Sequence, residues 1–315
     1  MAKIPLRTYL QEIERLVDSH RIDEAVAHSR YILQFYPKYI DVYRILGKAY
    51  LEVKRYGDAA DILQRVLSSL PEDYVSNAGM SIIREDEGNL DEAIWHMERA
   101  FEIEPSNSTI QDELRRLIGK RDGIEPQRIR LTRGALARMY LKGDLTQEAI
   151  TELRIALTED PNRLDLKALL AVALNRLGQR VEAIDAANQV LLKLPNNLDS
   201  NRIMADLLAG TDRDAEAQDF RKIVVELDPY SNFVSPSTPL AEQVPNQAVS
   251  LERLEWKAAP TQPEISEQPV WATPLDSAST EAVSSEETVP EWLSSRQDIF
   301  GQADLIGEIE EIPVL

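Results

Sequence analysis

Few side chains in this 315-residue sequence have the type and spacing that catalysis or metal binding requires. The chain contains no cysteine, no serine in a glycine-flanked nucleophile elbow, and no glycine-rich phosphate loop followed by Lys-Ser or Lys-Thr. The three histidines, His20, His28 and His96, are interpreted as surface residues rather than metal ligands. The sequence therefore predicts that the protein is not an enzyme and binds no cofactor, no metal ion and no small-molecule substrate.

Charged side chains form a more informative pattern. The chain has 54 acidic and 35 basic residues and a net charge of −19, which favours solubility and argues against general nucleic-acid binding. Residues 115–142 are nevertheless basic, with nine Lys or Arg against only Asp122 and Glu125. Three interpretations of this segment stay open. They are a solvated face with salt bridges to neighbouring helices, a docking surface for an acidic protein or peptide, and a nucleic-acid surface, which the lack of interleaved aromatic residues disfavours.

The elements that position these residues recur at a fixed interval. A phrase such as GNLDEAI at 88–94 returns so that its alanines stand 34, 34, 56, 34 and 34 residues apart, each followed twelve residues later by a proline. Within 40–71, two apolar stripes at helical spacing precede the proline, so one period predicts helix, turn, helix and stop. We expect each alanine to lie where two antiparallel helices pack closely. The alanines are Ala25, Ala59, Ala93, Ala149, Ala183 and Ala217.

The 34-residue period resembles that of the tetratricopeptide repeat (TPR), over roughly residues 5–229. The residues that match the family pattern nearly throughout one period are Tyr43, Leu46, Gly47, Tyr50, Ala59 and Pro71. The resemblance implies an all-α fold, an α-solenoid of helix-turn-helix repeats wound into a right-handed superhelix. It also implies a bacterial-type, non-catalytic scaffold that binds protein partners or peptide segments on a concave face lined by the first helices.

Six basic residues are candidates for partner binding, chosen from the family's first-helix positions and from the basic segment 115–142. They are Arg44 and Lys48 in the second repeat, and Arg130, Arg133, Arg138 and Lys142 at the start of the fourth. The TPR subset that holds a C-terminal carboxylate is not indicated, because Ala78 and Ile82 occupy the corresponding positions of the third repeat.

The single 56-residue step contains about 22 additional residues, at 107–128. Ser108 as an N-cap and an apolar stripe from Ile110 to Ile118 predict one unpaired helix, with a disordered linker as the alternative. The predicted domains are therefore three repeats at 1–105, an extra helix and loop at 106–128, and three repeats at 129–229. This arrangement gives thirteen helices.

Residues 230–315 differ in composition from the repeats. They hold 15 acidic and 3 basic residues and nine of the seventeen prolines, which predicts an acidic disordered tail. Trp256, Trp271 and Trp292 are candidate docking anchors within it, the alternative being chance or transient collapse onto the repeats. A second functional hypothesis follows, in which the tail masks the basic surface at 115–142 and the protein is an autoinhibited regulatory module.

Other features of the sequence indicate the cellular compartment. The absence of cysteine fits a reducing environment, and the N-terminal MAKIPLRTYLQEIERL lacks the apolar core of a signal peptide. No stretch approaches the roughly eighteen apolar residues that a membrane span needs. We therefore expect a cytoplasmic protein with no membrane span.

Overall fold

A computed structural model describes residues 3–235 and 238–256 of the chain. These residues form thirteen α-helices and one two-stranded sheet, which confirms the predicted all-α solenoid. The helices are α1 (Leu6–Asp18), α2 (Ile22–Phe35), α3 (Ile40–Glu52), α4 (Tyr56–Ser69), α5 (Tyr74–Asp86), α6 (Leu90–Ile103), α7 (Ser108–Asp122), α8 (Arg133–Lys142), α9 (Thr146–Glu159), α10 (Leu164–Arg176), α11 (Arg180–Leu191), α12 (Leu198–Leu208) and α13 (Asp214–Leu227).

Each repeat consists of two antiparallel helices that bury their apolar stripes against each other and against the next pair. The recurring alanines lie at these contacts, since all six are at most 1 % exposed. A larger side chain there would force the helices apart. The tight turn within a repeat needs one residue in the left-handed region, which Gly88 supplies with a φ of 77° and Lys54 with a φ of 54°. Periodicity, small residues and turn residues therefore agree on the same helix pairs.

The additional segment between the third and fourth repeats forms α7. Its N-cap is Asn107, whose side-chain oxygen accepts hydrogen bonds from the backbone of Thr109 and Ile110 at 3.0 and 3.3 Å. The prediction of Ser108 as the N-cap was wrong by one residue, because the amide oxygen of Asn107 reaches the free N–H groups first. Gly123, with a φ of 79°, ends the helix, and α7 packs against α6.

The array curves until its last repeat contacts its second. Ile40 of α3 and Val66 of α4 share one buried cluster with Leu198, Val224 and Leu227 of α12 and α13. Polar contacts follow the same seam. The Lys38 ammonium lies 2.7 Å from the Glu226 carboxylate, and the Asn197 side chain donates a hydrogen bond to the Ser69 carbonyl at 3.3 Å. The six helix pairs therefore form a closed array.

The folded part continues beyond the last repeat, in a segment that we call the strap, residues 229–254. Its strand β2 (Ser250–Glu252) pairs antiparallel with β1 (Lys3–Pro5). Buried strap residues that join the core around α1 are Tyr230, Ala241, Val244, Val249 and Leu251. The prediction that disorder begins at residue 230 was therefore wrong. The few apolar side chains of the strap are enough because the exposed end of the repeat stack offers them an apolar helix face. Residues 257–315 lie outside the described part.

One arginine of α1 fastens the strap. The Arg7 guanidinium donates hydrogen bonds to the carbonyls of Ala241 and Val244, at 2.6 and 2.8 Å, and lies 3.7 Å from the centroid of the Tyr230 ring. The Tyr230 hydroxyl in turn accepts a hydrogen bond from the Arg7 backbone at 3.2 Å. These contacts bring the end of the described chain back to its beginning.

Candidate functional site

Charged side chains from three consecutive repeats meet inside the array. Arg163 donates hydrogen bonds to Glu102 at 2.5 Å and to Asp165 at 2.7 Å, and Glu102 is only 1 % exposed. Arg138 continues the network, because it contacts Asp165 at 3.4 Å and Glu72, in the turn before α5, at 2.8 Å. The network therefore links the third, fourth and fifth repeats.

The pKa values inside this network show how the charges compensate one another. Burial alone would raise the pKa of Asp165, but hydrogen bonds and charge from Arg163, with the charge of Arg138, hold it below its usual value. At Glu72, burial outweighs the lowering effect of Arg138, so that the pKa is raised, and the charge of Asp199 raises it further. Asp165 therefore favours its ionised form, whereas Glu72 takes up a proton more readily than an exposed glutamate.

The predicted partner-binding residues of the first helices already have partners in the chain. Arg44 lies 2.7 Å from both Asp73 and Asp41, and Lys48 lies 2.9 Å from Asp18. Asp73 is also the N-cap of α5, since its side chain accepts a hydrogen bond from the Ser76 backbone at 2.8 Å. The structure brings Arg44 and Arg138 to the same turn, because they bind the adjacent residues Asp73 and Glu72.

The basic segment 115–142 is largely neutralised by neighbouring acids. Arg133 contacts Glu152 and Glu159 at 2.8 and 3.0 Å, and Lys142 contacts Glu104 at 3.1 Å. Seven of the nine basic residues have such a partner; the others paired in this way are Arg115, Arg116, Lys120, Arg121 and Arg138. Arg128 and Arg130 are exposed and form no ion pair within the described residues. The geometry thus matches the interpretation of a salt-bridged solvated face, except in the loop between α7 and α8.

One of the three histidines, His28, lies in a different environment from the one predicted. His28 is 2 % exposed and shares a 2.6 Å hydrogen bond with the Tyr9 hydroxyl, so its interpretation as a surface residue was wrong. A position facing α1 on the buried side of α2 explains this burial. Trp256 is half-buried, whereas Trp271 and Trp292 lie outside the described residues. Over residues 3–235 and 238–256, no group of three His, Asp or Glu side chains could hold a metal ion.

A cleft at the seam is the feature that sequence reasoning missed. It has a volume of about 550 Å³ and lies between the end of α2, the end of α13 and the strap. Phe35 and Phe233, which are 53 % and 46 % exposed, stand at this cleft, and Lys38 and Glu226 lie beside them. No local pattern could have indicated it, because its walls come from sequence positions about two hundred residues apart.

Comparison with known proteins agrees with the helix pairs. The family profile of the tetratricopeptide repeat matches residues 16–78, from the end of α1 into α5. The chain is an array of helix pairs that are similar to tetratricopeptide repeats (TPR-like). The TPR-like repeats pair the helices in order, from α1–α2 to α5–α6 and from α8–α9 to α12–α13, with α7 outside these pairs. None of its described helices is both long and apolar enough to cross a membrane.

Two solved structures are among those to which parts of this chain are similar. A structure of MamA from AMB-1 is 23 % identical, with 59 % of this chain and 96 % of that chain covered, at a TM-score of 0.28. The APC/C hetero-tetramer Cut9–Hcn1 is 17 % identical over 71 % of this chain and 46 % of that chain, at a TM-score of 0.31. Likenesses this distant carry no argument about fold or function. The search of curated proteins found no match to this chain.

Proposed function

We propose that this protein is a non-catalytic scaffold that binds segments of other proteins. The observation that carries the proposal is the TPR array itself, since stacked helix pairs present extended surfaces suited to peptide segments. Polar side chains on its first helices remain partly open to solvent, with Arg44 and Arg202 exposed by 30 % and 34 %. Such side chains give a partner groups to bind without unfolding the array.

The loop between α7 and α8 is the part of the basic segment best suited to an acidic partner. Arg128 and Arg130 are its two cations without an ion pair among the described residues, and Ile124 and Leu131 are exposed by 79 % and 46 %. Free charge and exposed apolar surface together attract an acidic segment that also carries apolar residues. By contrast, Arg138 would have to give up internal ion pairs before it could bind a partner.

The proposal is tested by comparing which proteins the full chain retains from an extract of its source cells. We expect a retained set that the double variant Arg128→Glu, Arg130→Glu loses in part, and that high salt also releases. Lys193→Glu is the matched control, because Lys193 is likewise exposed and without an ion pair in the described part of the chain. Retention of nothing above background would contradict the scaffold role. If the double variant retains the same proteins as the native chain, only the role of the loop between α7 and α8 is contradicted.

The second hypothesis, masking of residues 115–142 by the acidic tail, stays a prediction. Most of the tail lies outside the described residues, and seven of the nine cations that it would mask are already paired.

A further inference from the structure

The outer edge of strand β2 presents backbone groups that the sheet does not use. Leu6 donates its backbone N–H to the Val249 carbonyl at 2.9 Å, so Leu6 and Val249 form a hydrogen-bonded pair of the antiparallel ladder. In such a ladder hydrogen-bonded and non-hydrogen-bonded pairs alternate. The register pairs Ile4 with Leu251 and Pro5 with Ser250. Ile4–Leu251 is therefore bonded, and Pro5–Ser250 is not, as expected for a proline that has no N–H to give.

It follows that the N–H and C=O of Ser250 point away from β1, towards the open edge. The same alternation turns the backbone groups of Glu252 outward. Both residues are exposed, and neither backbone has another hydrogen-bond partner within residues 3–235 and 238–256. An unpaired strand edge is a template to which another extended chain can add.

This edge adjoins the apolar cleft at the seam. Ala248, Val249 and Ser250 form the strap side of the cleft, and Phe35 and Phe233 stand at it. Its volume of about 550 Å³ lies within the range of about 300–1,000 Å³ that is typical of ligand pockets. A strand that adds to β2 would send alternate side chains towards the cleft, because successive side chains point to opposite faces.

We propose that β2 and the cleft form a binding site for an extended peptide from another protein, one with a bulky apolar side chain. The backbone of the peptide pairs with Ser250 and Glu252, and its aromatic or branched aliphatic side chain fills the cleft beside Phe233. Main-chain pairing supplies affinity and the cleft supplies selectivity, as in other cases of strand addition. Lys38 and Glu226 beside the cleft form an ion pair and neutralise each other's charge. The site therefore selects for apolar side chains rather than for charged ones.

The inference rests on the proposed scaffold role only in that both require a peptide partner. The probe is a fluorescein-labelled, capped peptide, Thr-Ser-Thr-Trp-Thr-Ser-Thr, titrated into the full chain while anisotropy is measured. We expect saturable binding in the micromolar to millimolar range, weakened at least tenfold when the peptide tryptophan becomes alanine. Two peptides N-methylated on alternate residues, one in each register, separate main-chain pairing from general contact. The one whose N-methyl groups face β2 should bind at least tenfold more weakly, and the other should bind as the parent peptide does. Because this probe needs no cell extract, its failure would leave the scaffold test unaffected.

Variants of the protein assign the binding to this edge. Ser250→Pro removes one outward N–H and leaves the β1 pairing intact, since proline is tolerated at an open edge. We expect it to weaken binding at least tenfold, and Phe233→Ala to do likewise, whereas Glu252→Gln, which keeps the backbone, should bind as the native chain does. The absence of saturable binding by the native chain, or binding indifferent to N-methylation and to Phe233→Ala, would overturn the proposal. Self-association of the native chain that Ser250→Pro abolishes would assign the edge to a second copy and would also overturn it.

Discussion

Asn197 of the sixth repeat and Ser69 of the second are joined by a hydrogen bond from the asparagine side chain to the serine carbonyl at 3.3 Å. The same asparagine is the N-cap of α12, because its side-chain oxygen accepts the Ser200 backbone N–H at 2.9 Å. Asn197 is fully buried, so neither bond competes with water. One side chain therefore both begins a helix and closes the array.

Asn197→Ala should lower the free energy of unfolding by more than the loss of a cap alone. Loss of an N-cap costs about 1 kcal/mol, and the Ser69 carbonyl left buried without its partner adds about 1–3 kcal/mol. Chemical denaturation of the full chain measures the sum. Asn89→Ala is the matched control, since Asn89 caps α6 through the exposed Glu92 backbone and makes no contact across the seam. Equal losses in the two variants would show that the contact with Ser69 contributes nothing.

Ala93→Leu should destabilise the third repeat strongly. Ala93 is fully buried, and its carbonyl accepts a hydrogen bond from the Ser81 hydroxyl at 2.7 Å across the two helices. Added bulk in such a contact costs about 1–3 kcal/mol. Glu92→Leu, one residue earlier, loses only an exposed ion pair with Arg84 and should cost less than about 1 kcal/mol. If thermal melts rank the two variants in the opposite order, Ala93 does not lie at the interface between α5 and α6.

Removing the strap should expose the apolar side of α1. A chain cut after residue 232 loses the buried residues Val244, Val249 and Leu251, and Arg7 loses the carbonyls to which it donates. We expect a clear fall in melting temperature, because burial of each such side chain stabilises the fold by about 1.5–3 kcal/mol. A chain cut after residue 256 keeps every one of these contacts and is the control. Identical melts for the two shortened chains would mean that the strap adds no stability.

Stability should depend on His96 below neutral pH. Burial, with the charges of Arg84 and Arg99, lowers the pKa of His96 to about 4, against about 6.5 in the unfolded chain. Between these values the unfolded state binds a proton that the folded state does not, so stability is complete above pH 6.5 and falls as the pH falls towards 4. The loss is on the order of 2–3 kcal/mol.

His96→Gln keeps a side-chain donor for Asn77 and removes this titration. Groups such as Glu72, whose pKa is raised, contribute to both proteins and cancel in the comparison. The difference in unfolding free energy between the native chain and the variant should therefore change across this pH interval. A constant difference would show that His96 does not carry the effect.

The features that could be predicted from the sequence are those that depend on short stretches of the chain. The helix pairs, the buried alanines and α7 follow from periods of 3.6 and 34 residues in the sequence. Residues such as Ala93 and Gly123 fit these periods through their own side chains and backbone conformations. The closure between Lys38 and Glu226 could not be predicted in this way, because it depends on small rotations summed over six repeats. The strap escaped prediction for another reason. Val244, Val249 and Leu251 follow no helical period, and they are buried only because α1 lies next to them.

The ion pairs of the basic residues could not be predicted from the sequence either. The sequence shows nine cations and two acids in residues 115–142, but the compensating carboxylates are supplied by other helices. Glu85 of α5 alone contacts both Arg116 and Lys120. Proximity between such distant positions is a property of the fold and leaves no local trace.

The closed array is the central claim, since the seam, the cleft and the strand edge all depend on it. The chain has no cysteine, so Lys38→Cys and Glu226→Cys place two spin labels at chosen positions on opposite sides of the seam. Both native side chains are about half exposed, and their charged atoms are 2.7 Å apart. Electron spin resonance should give a single narrow distribution at the short end of its distance range. A long or broad distribution would show that the second and sixth repeats stand apart and would contradict the closed array.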